Sequence, residues 1–233
     1  MRAFRKSLPV SILMVLAPSV CTFGQAQNKP AVDAAKGQPL KNIPADTITL
    51  RRDVNFDQLL ARGAGGGKWM DASMEFVPSQ NPIPEARDPN FFENVEILLH
   101  LAFKGPPAPA GQPPQFDFYS SKVKIAILKA REPMVLHFFI PGYIVERDRL
   151  PREPEYWAIE ILVDGIAQEP SAKIVSRFYK EQLKFLPTFL TKATQESRKN
   201  DGLLMPQFLA PFGIVGQARA DTTIPFIREE GRP

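Results

Sequence analysis

From Trp69 to Val163 apolar side chains recur at every second position, in runs separated by prolines and glycines. Met70, Ala72, Met74 and Phe76 alternate with Asp71, Ser73 and Glu75. Val95, Ile97, Leu99, Leu101 and Phe103 form a second such run, with His100 on the opposite parity. Successive side chains of a β-strand leave opposite faces, so each run makes one apolar and one polar face. Residues 116–128 repeat the pattern, with Val123, Ile125 and Ile127 expected inward and Lys122 and Lys124 outward. Residues 156–163 read as another strand, and Asp164-Gly165 is a two-residue hairpin signal with Ile166, Ala167 and Gln168 as its return. No helical pattern alternates with these strands, which favours an antiparallel sandwich over a doubly wound βαβ sheet. About six to eight strands with turn signals between them predict an antiparallel β-sandwich.

The densest stretch is residues 134–154, MVLHFFIPGYIVERDRLPREP. Its apolar run to Ile140 reads as a buried strand, and Pro141-Gly142 as a corner. Tyr143, Ile144 and Val145 are β-formers, so the chain is expected to stay extended into the charge block Glu146-Arg147-Asp148-Arg149. Arg147 and Arg149 would then share one face, and Glu146 and Asp148 the other. Two guanidinium groups can grip carboxylates or carbonyls in a bidentate manner. Tyr143, Arg147, Asp148 and Arg149 are therefore the candidate partner-binding residues. The bland reading is an intramolecular ionic clasp that fixes the loop, since exposed ion pairs usually contribute under about 1 kcal/mol and rarely define a partner.

Around this centre the pattern is weaker. Residues 47–52 read as a short edge strand, and residues 55–61 as a helical turn with Asn55 as its N-cap. Residues 78–90 and 105–114 are proline-rich loops. Residues 172–199 are expected to be a helical insertion or cap, opened by Ser171 and kinked or split by Pro187. Residues 203–226 are apolar and proline-punctuated and read as extended segments returning to the sheet.

The chain begins with Arg2, Arg5 and Lys6 and then an apolar run from Leu8 to Val20, interrupted by Pro9 and Pro18. That is the pattern of a secretory signal peptide, expected to be cut after Ala26, and it is too short for a membrane span. Val20 and Pro18 before Cys21 do not make a lipobox. Cys21 is the single cysteine of the chain. Without it no disulfide supports the fold, so stability must come from the core. Full burial of one large apolar side chain contributes about 2 kcal/mol, and 17 phenylalanines, mostly on strand-like faces, supply such a core. Residues 27–46 are polar and unpatterned and read as a flexible tether. The net charge of +4 falls to +1 once residues 1–26 are set aside, because they hold three of the 29 lysines and arginines and none of the 25 acids. That balance argues against nucleic-acid binding driven by net charge.

No catalytic constellation emerges. Gly63-Ala64-Gly65-Gly66-Gly67-Lys68 resembles a phosphate loop, but Lys68 comes one position early and Trp69 replaces the required hydroxyl. His100 and His137 are the two histidines, with no cysteine or spaced carboxylates to complete a metal site. Ser120-Ser121 lacks the glycine frame of a nucleophile elbow. No catalytic residue, cofactor or metal ligand is assigned, and the chain is expected not to be an enzyme. Trp69, Tyr143, Tyr156 and Trp157 could form a sugar-stacking row, so a carbohydrate-binding or adhesin domain is the alternative.

Three segments carry a family resemblance: Ser120-Ser121-Lys122-Val123-Lys124-Ile125, the run from His137 to Pro154, and residues 156–165. Together they resemble exported proteins of Verrucomicrobia, Akkermansia among them, encoded beside a type IV pilus-like secretin system. The resemblance spans residues 69–209. It implies an immunoglobulin-like fold, no catalytic activity, and an accessory role in a pilus or secretin apparatus in the periplasm or at the outer membrane. It implies partners among the other proteins of that apparatus, with a homo-oligomer left open.

Overall fold

A computed structural model of the chain describes residues 40–60, 67–107, 109–176, 180–211 and 226. The expected signal peptide and most of the expected tether lie outside the described residues, as do Gly63 to Gly66 and residues 212–225 of the tail. Among the described residues no helix is long and apolar enough to cross a membrane.

The described strands form two antiparallel sheets. The first contains β1 (Ile48–Leu50), β2 (Asn55–Leu60), β3 (Lys68–Pro78), β6 (Met134–Ile140) and β9 (Met205–Pro206), with β1 and β2 both pairing with β3. The second runs β5 (Phe116–Lys129), β4 (Phe91–Lys104), β7 (Tyr156–Val163) and β8 (Ile166–Ala167). This is the β-sandwich that the alternation predicts, and its two antiparallel sheets fit the immunoglobulin-like class.

Register explains the core. Met70 lies opposite Ile140 and Phe76 opposite Met134 in the first sheet. In the second, Val95 is flanked by Ile125 and Val163, and Leu101 by Tyr119 and Trp157. All of these side chains are buried in one cluster between the sheets. A second cluster lies on the outer face of β4, β5 and β7. There Ala102, Ala158 and Phe118 receive Leu186, Phe189 and Ala193 of α2 (Leu186–Glu196). Two alanines on neighbouring strands leave room for a helix to lie close on the sheet. Burial on both faces explains why residues 156–163 read as almost continuously apolar.

Four expectations are corrected. Residues 55–60 form strand β2, not a helical turn. They pair residue by residue with residues 68–73 of β3, and a six-residue segment cannot sustain a helix by itself. The helical segment does not run from residue 172, and Pro187 splits it rather than kinks it: Pro187 stands in the first turn of α2, directly after a 3-10 turn over Leu183–Phe185, where its missing N–H has no partner to lose. Residues 174 and 175 instead run alongside β7, where Val175 bridges Ala158. Ile127 is 41% exposed, not inward. The alternation inverts at Asn94, whose φ of 49° is in the left-handed region, so Phe92 and Leu128 point inward out of phase with Val95 and Ile125. Finally, the domain starts before residue 47. Ile43 is fully buried, and its N–H donates to the Ala167 carbonyl at 2.9 Å, while its carbonyl accepts from the Glu169 N–H at 2.8 Å.

Candidate functional site

After β6 the chain meets Pro141, whose ψ of 143° is still extended and which serves as the N-cap of the next element. The Pro141 carbonyl then accepts from the N–H groups of Ile144 and Val145, at 2.9 and 3.0 Å. The result is a short helix, α1 (Gly142–Arg147), where residues 143–145 were expected to be extended. Ile144 and Leu150 are buried and pull the segment onto the end of the sandwich, which overrides their β-propensity. The backbone at Gly142 packs against Gly67, so closely that a Cβ on Gly67 would lie 3.6 Å from the Gly142 Cα. Arg149 ends the turn with a φ of 51°.

The helical turn redistributes the charge block. Arg147 donates to Asp148 in bidentate fashion, Nε to Oδ1 and Nη2 to Oδ2, both at 2.7 Å. Asp148 Oδ2 also accepts from the Tyr119 hydroxyl at 2.6 Å. Tyr119 belongs to β5 and its residue is fully buried, its ring set edge-on to Phe103. The clasp therefore joins the segment after β6, in one sheet, to a core tyrosine of the other. Arg147 lowers the Asp148 carboxyl below the usual carboxylate range against the opposing effect of burial, with the Tyr119 hydrogen bond adding to the lowering. Burial, then the bond to Asp148, push the Tyr119 phenol far above its ordinary value. The bond to Asp148 likewise raises the Arg147 guanidinium. Tyr119 is thus held as a hydrogen-bond donor and Arg147 as a neutralised cation.

Tyr143, Arg147, Asp148 and Arg149 are all brought to this corner, but they differ in role. Arg147 and Asp148 serve each other and Tyr119. Tyr143 is 55% exposed on α1. Arg149 makes no ion pair among the described residues. An exposed phenol ring and an exposed guanidinium on one corner are groups that can bind a carboxylate or carbonyl with an adjoining apolar group. Tyr119 was missed by sequence reasoning. Its parity placed it in the core, where a phenol hydroxyl needs a partner, but nothing local names Asp148.

The histidines occupy different sheets. His100, 2% exposed on the outer face of β4, is bonded on both sides. Its Nδ1 lies 2.8 Å from Ser120 Oγ and its Nε2 2.8 Å from Glu160 Oε1. This cross-strand row was not foreseen, since it needs the β4–β5 register that places His100 opposite Ser120. The ring is enclosed, so the row is a closed polar chain within the sheet. His137 Nδ1 lies 3.0 Å from both carboxylate oxygens of Asp71, and its ring stacks on Phe139. Among the described residues no three His, Cys, Asp or Glu side chains converge as a metal site. The sugar-stacking row is not assembled: Trp69 and Trp157 are buried, and Tyr143 stands at the α1 corner.

Neither a family model nor a curated protein matches the chain. Among solved structures it is similar to a crystal structure from Akkermansia muciniphila, with a TM-score of 0.50 and 13% identity. The likeness covers 78% of this chain and 92% of the other. At that identity it speaks to the fold alone.

Proposed function

We propose that the protein is a non-catalytic, exported binding module of a type IV pilus-like or secretin apparatus, and that it meets its partner at the α1 corner. The observation that carries this reading is the division of labour there. Arg147, Asp148 and Tyr119 pin the corner to the opposite sheet, and Tyr143 and Arg149 are left facing outward. Exposed tyrosine and arginine are residue types enriched at protein interfaces, because they contribute area and bidentate hydrogen bonds. The signal-peptide pattern supports an exported setting.

Affinity capture from envelope extracts tests this. The wild-type chain is expected to recover a secretin or pilus-assembly subunit. Tyr143→Ala with Arg149→Ala should lose that subunit and keep its melting temperature, since exposed substitutions change stability by no more than about 0.5 kcal/mol. If the wild type recovers no such subunit, or the double variant recovers it equally well, the reading fails.

A further inference from the structure

Among the described residues the two buried apolar clusters share no side chain. The larger lies between the sheets and takes nothing from residues 183–200. The smaller lies outside the second sheet, where Leu186, Phe189 and Ala193 of α2 meet Ala102, Phe118, Ala158 and Val175, and it takes nothing from the first sheet. Lifting residues 183–200 away would therefore leave the packing between the sheets intact.

The segment has little stability of its own. α2 has eleven residues and no side-chain hydrogen bond at its N-cap. A helix of that length is marginal in water, so it depends on its seat against the sheet. Its polar links to that sheet include the Asn200 amide, which donates to the Phe118 carbonyl at 2.9 Å, and the exposed pair of Lys199 with Asp117 at 3.1 Å. The Lys192 ammonium lies 5.7 Å from the centre of the Phe118 ring.

The chain is fixed on either side of the segment. Before it, the Ile159 N–H donates to the Ile174 carbonyl and the Ser176 N–H to the Trp157 carbonyl, both at 2.9 Å. After it, Gly202 has a φ of 75°, and Leu204 is buried in the larger cluster. Beneath it lies an aromatic strip. The Phe118 ring is 6.0 Å from that of Phe189, and the half-buried rings of Phe116 and Tyr156 are 5.6 Å apart.

We propose that residues 183–200 are a hinged lid, which lifts off the outer face of β4, β5 and β7 while the sandwich stays folded and uncovers the strip of Phe116, Phe118 and Tyr156. Proteins open in cooperative units whose free energies range up to that of global unfolding, and a unit with a separate, small apolar seat stands at the low end of that range. The lid is independent of the α1 corner and of any partner bound there.

Hydrogen exchange of the full chain, read by mass spectrometry in a series of low urea concentrations, tests the lid. The amides of residues 190–196 are expected to exchange faster than those of residues 97–101 in β4, and with a weaker dependence on urea. Phe189→Ala removes the largest side chain of the seat, so it should speed exchange at residues 190–196 at least about tenfold. It should leave exchange at residues 97–101 and the melting temperature unchanged. Wild-type exchange that is equally slow in both segments, with the same urea dependence, overturns the proposal. So does a Phe189→Ala chain in which both segments speed up alike, because α2 would then open only when the sandwich unfolds.

Discussion

Asp148 accepts hydrogen bonds from two residues that arrive from different parts of the chain, Arg147 beside it and Tyr119 from the second sheet. Losing the carboxylate strands a buried phenol hydroxyl, whereas losing the hydroxyl leaves Asp148 still paired with Arg147. Asp148→Ala should therefore cost about 2 kcal/mol and Tyr119→Phe about 1 kcal/mol. For a domain of this size that corresponds to falls of about 4–8 °C and 2–4 °C in melting temperature, measurable by calorimetry. Equal falls would mean that the two residues do not share one clasp. The clasp also predicts a pH dependence. The folded carboxyl of Asp148 is lowered, so its contribution is complete above the unfolded value of about 4 and disappears as pH falls through the folded one. Wild type should thus lose more melting temperature than Asp148→Asn on acidification from pH 5 to pH 2, and parallel curves would rule out this linkage.

Among the elements, two short pieces depended on neighbours distant in sequence. α1 exists because the Pro141 carbonyl takes the Ile144 and Val145 N–H groups and because Ile144 and Leu150 find the end of the core. β2 exists because β3 supplies its hydrogen bonds. Residues 143–145 look like strand and residues 55–61 like a helical turn, and in both cases docking outweighs local preference by more than propensity differences of under about 1 kcal/mol can resist. Gln168 shows the converse, a single side chain completing an element. It is buried, and its amide satisfies one N–H and two carbonyls of residues 45–48. Gln168→Ala should cost about 2–4 kcal/mol, since it leaves buried backbone groups without partners. Faster hydrogen exchange at the Ile48 amide would accompany the loss. Unchanged exchange there would mean that another group covers this edge.

At the scale of the molecule, the sandwich is closed by the segment before β1. Ile43 bonds along β8 in the second sheet, and Ile48–Leu50 then pairs with β3 in the first. Residues 43–50 thus stitch both sheets, although residues up to 46 read as tether from composition. A chain starting at residue 47 should melt at least about 5 °C below one starting at residue 40, because it lacks a buried isoleucine and two backbone hydrogen bonds. Equal melting temperatures would return those residues to the tether.

What the sequence determined by itself is the set of long strands and their faces. Val95 to Phe103, Met70 to Phe76 and the Asp164-Gly165 hairpin could be read because side-chain direction in a strand is a local property and the turn residues have φ of 50° and 78°. Even there, one left-handed residue, Asn94, was enough to turn Ile127 outward, and no periodicity announces it. What only the tertiary structure decided is which distant groups meet: Tyr119 with Asp148, His100 with Ser120 and Glu160, Gln168 with Ile48. Alternation states that a side chain faces the core, but not which strand lies opposite. The candidate residues of the corner were visible as a charge block, yet their division into a clasp and an outward-facing pair required the fold, because the helical turn brings Arg147 onto Asp148, which is anchored to Tyr119 of the other sheet, and leaves Arg149 without that partner.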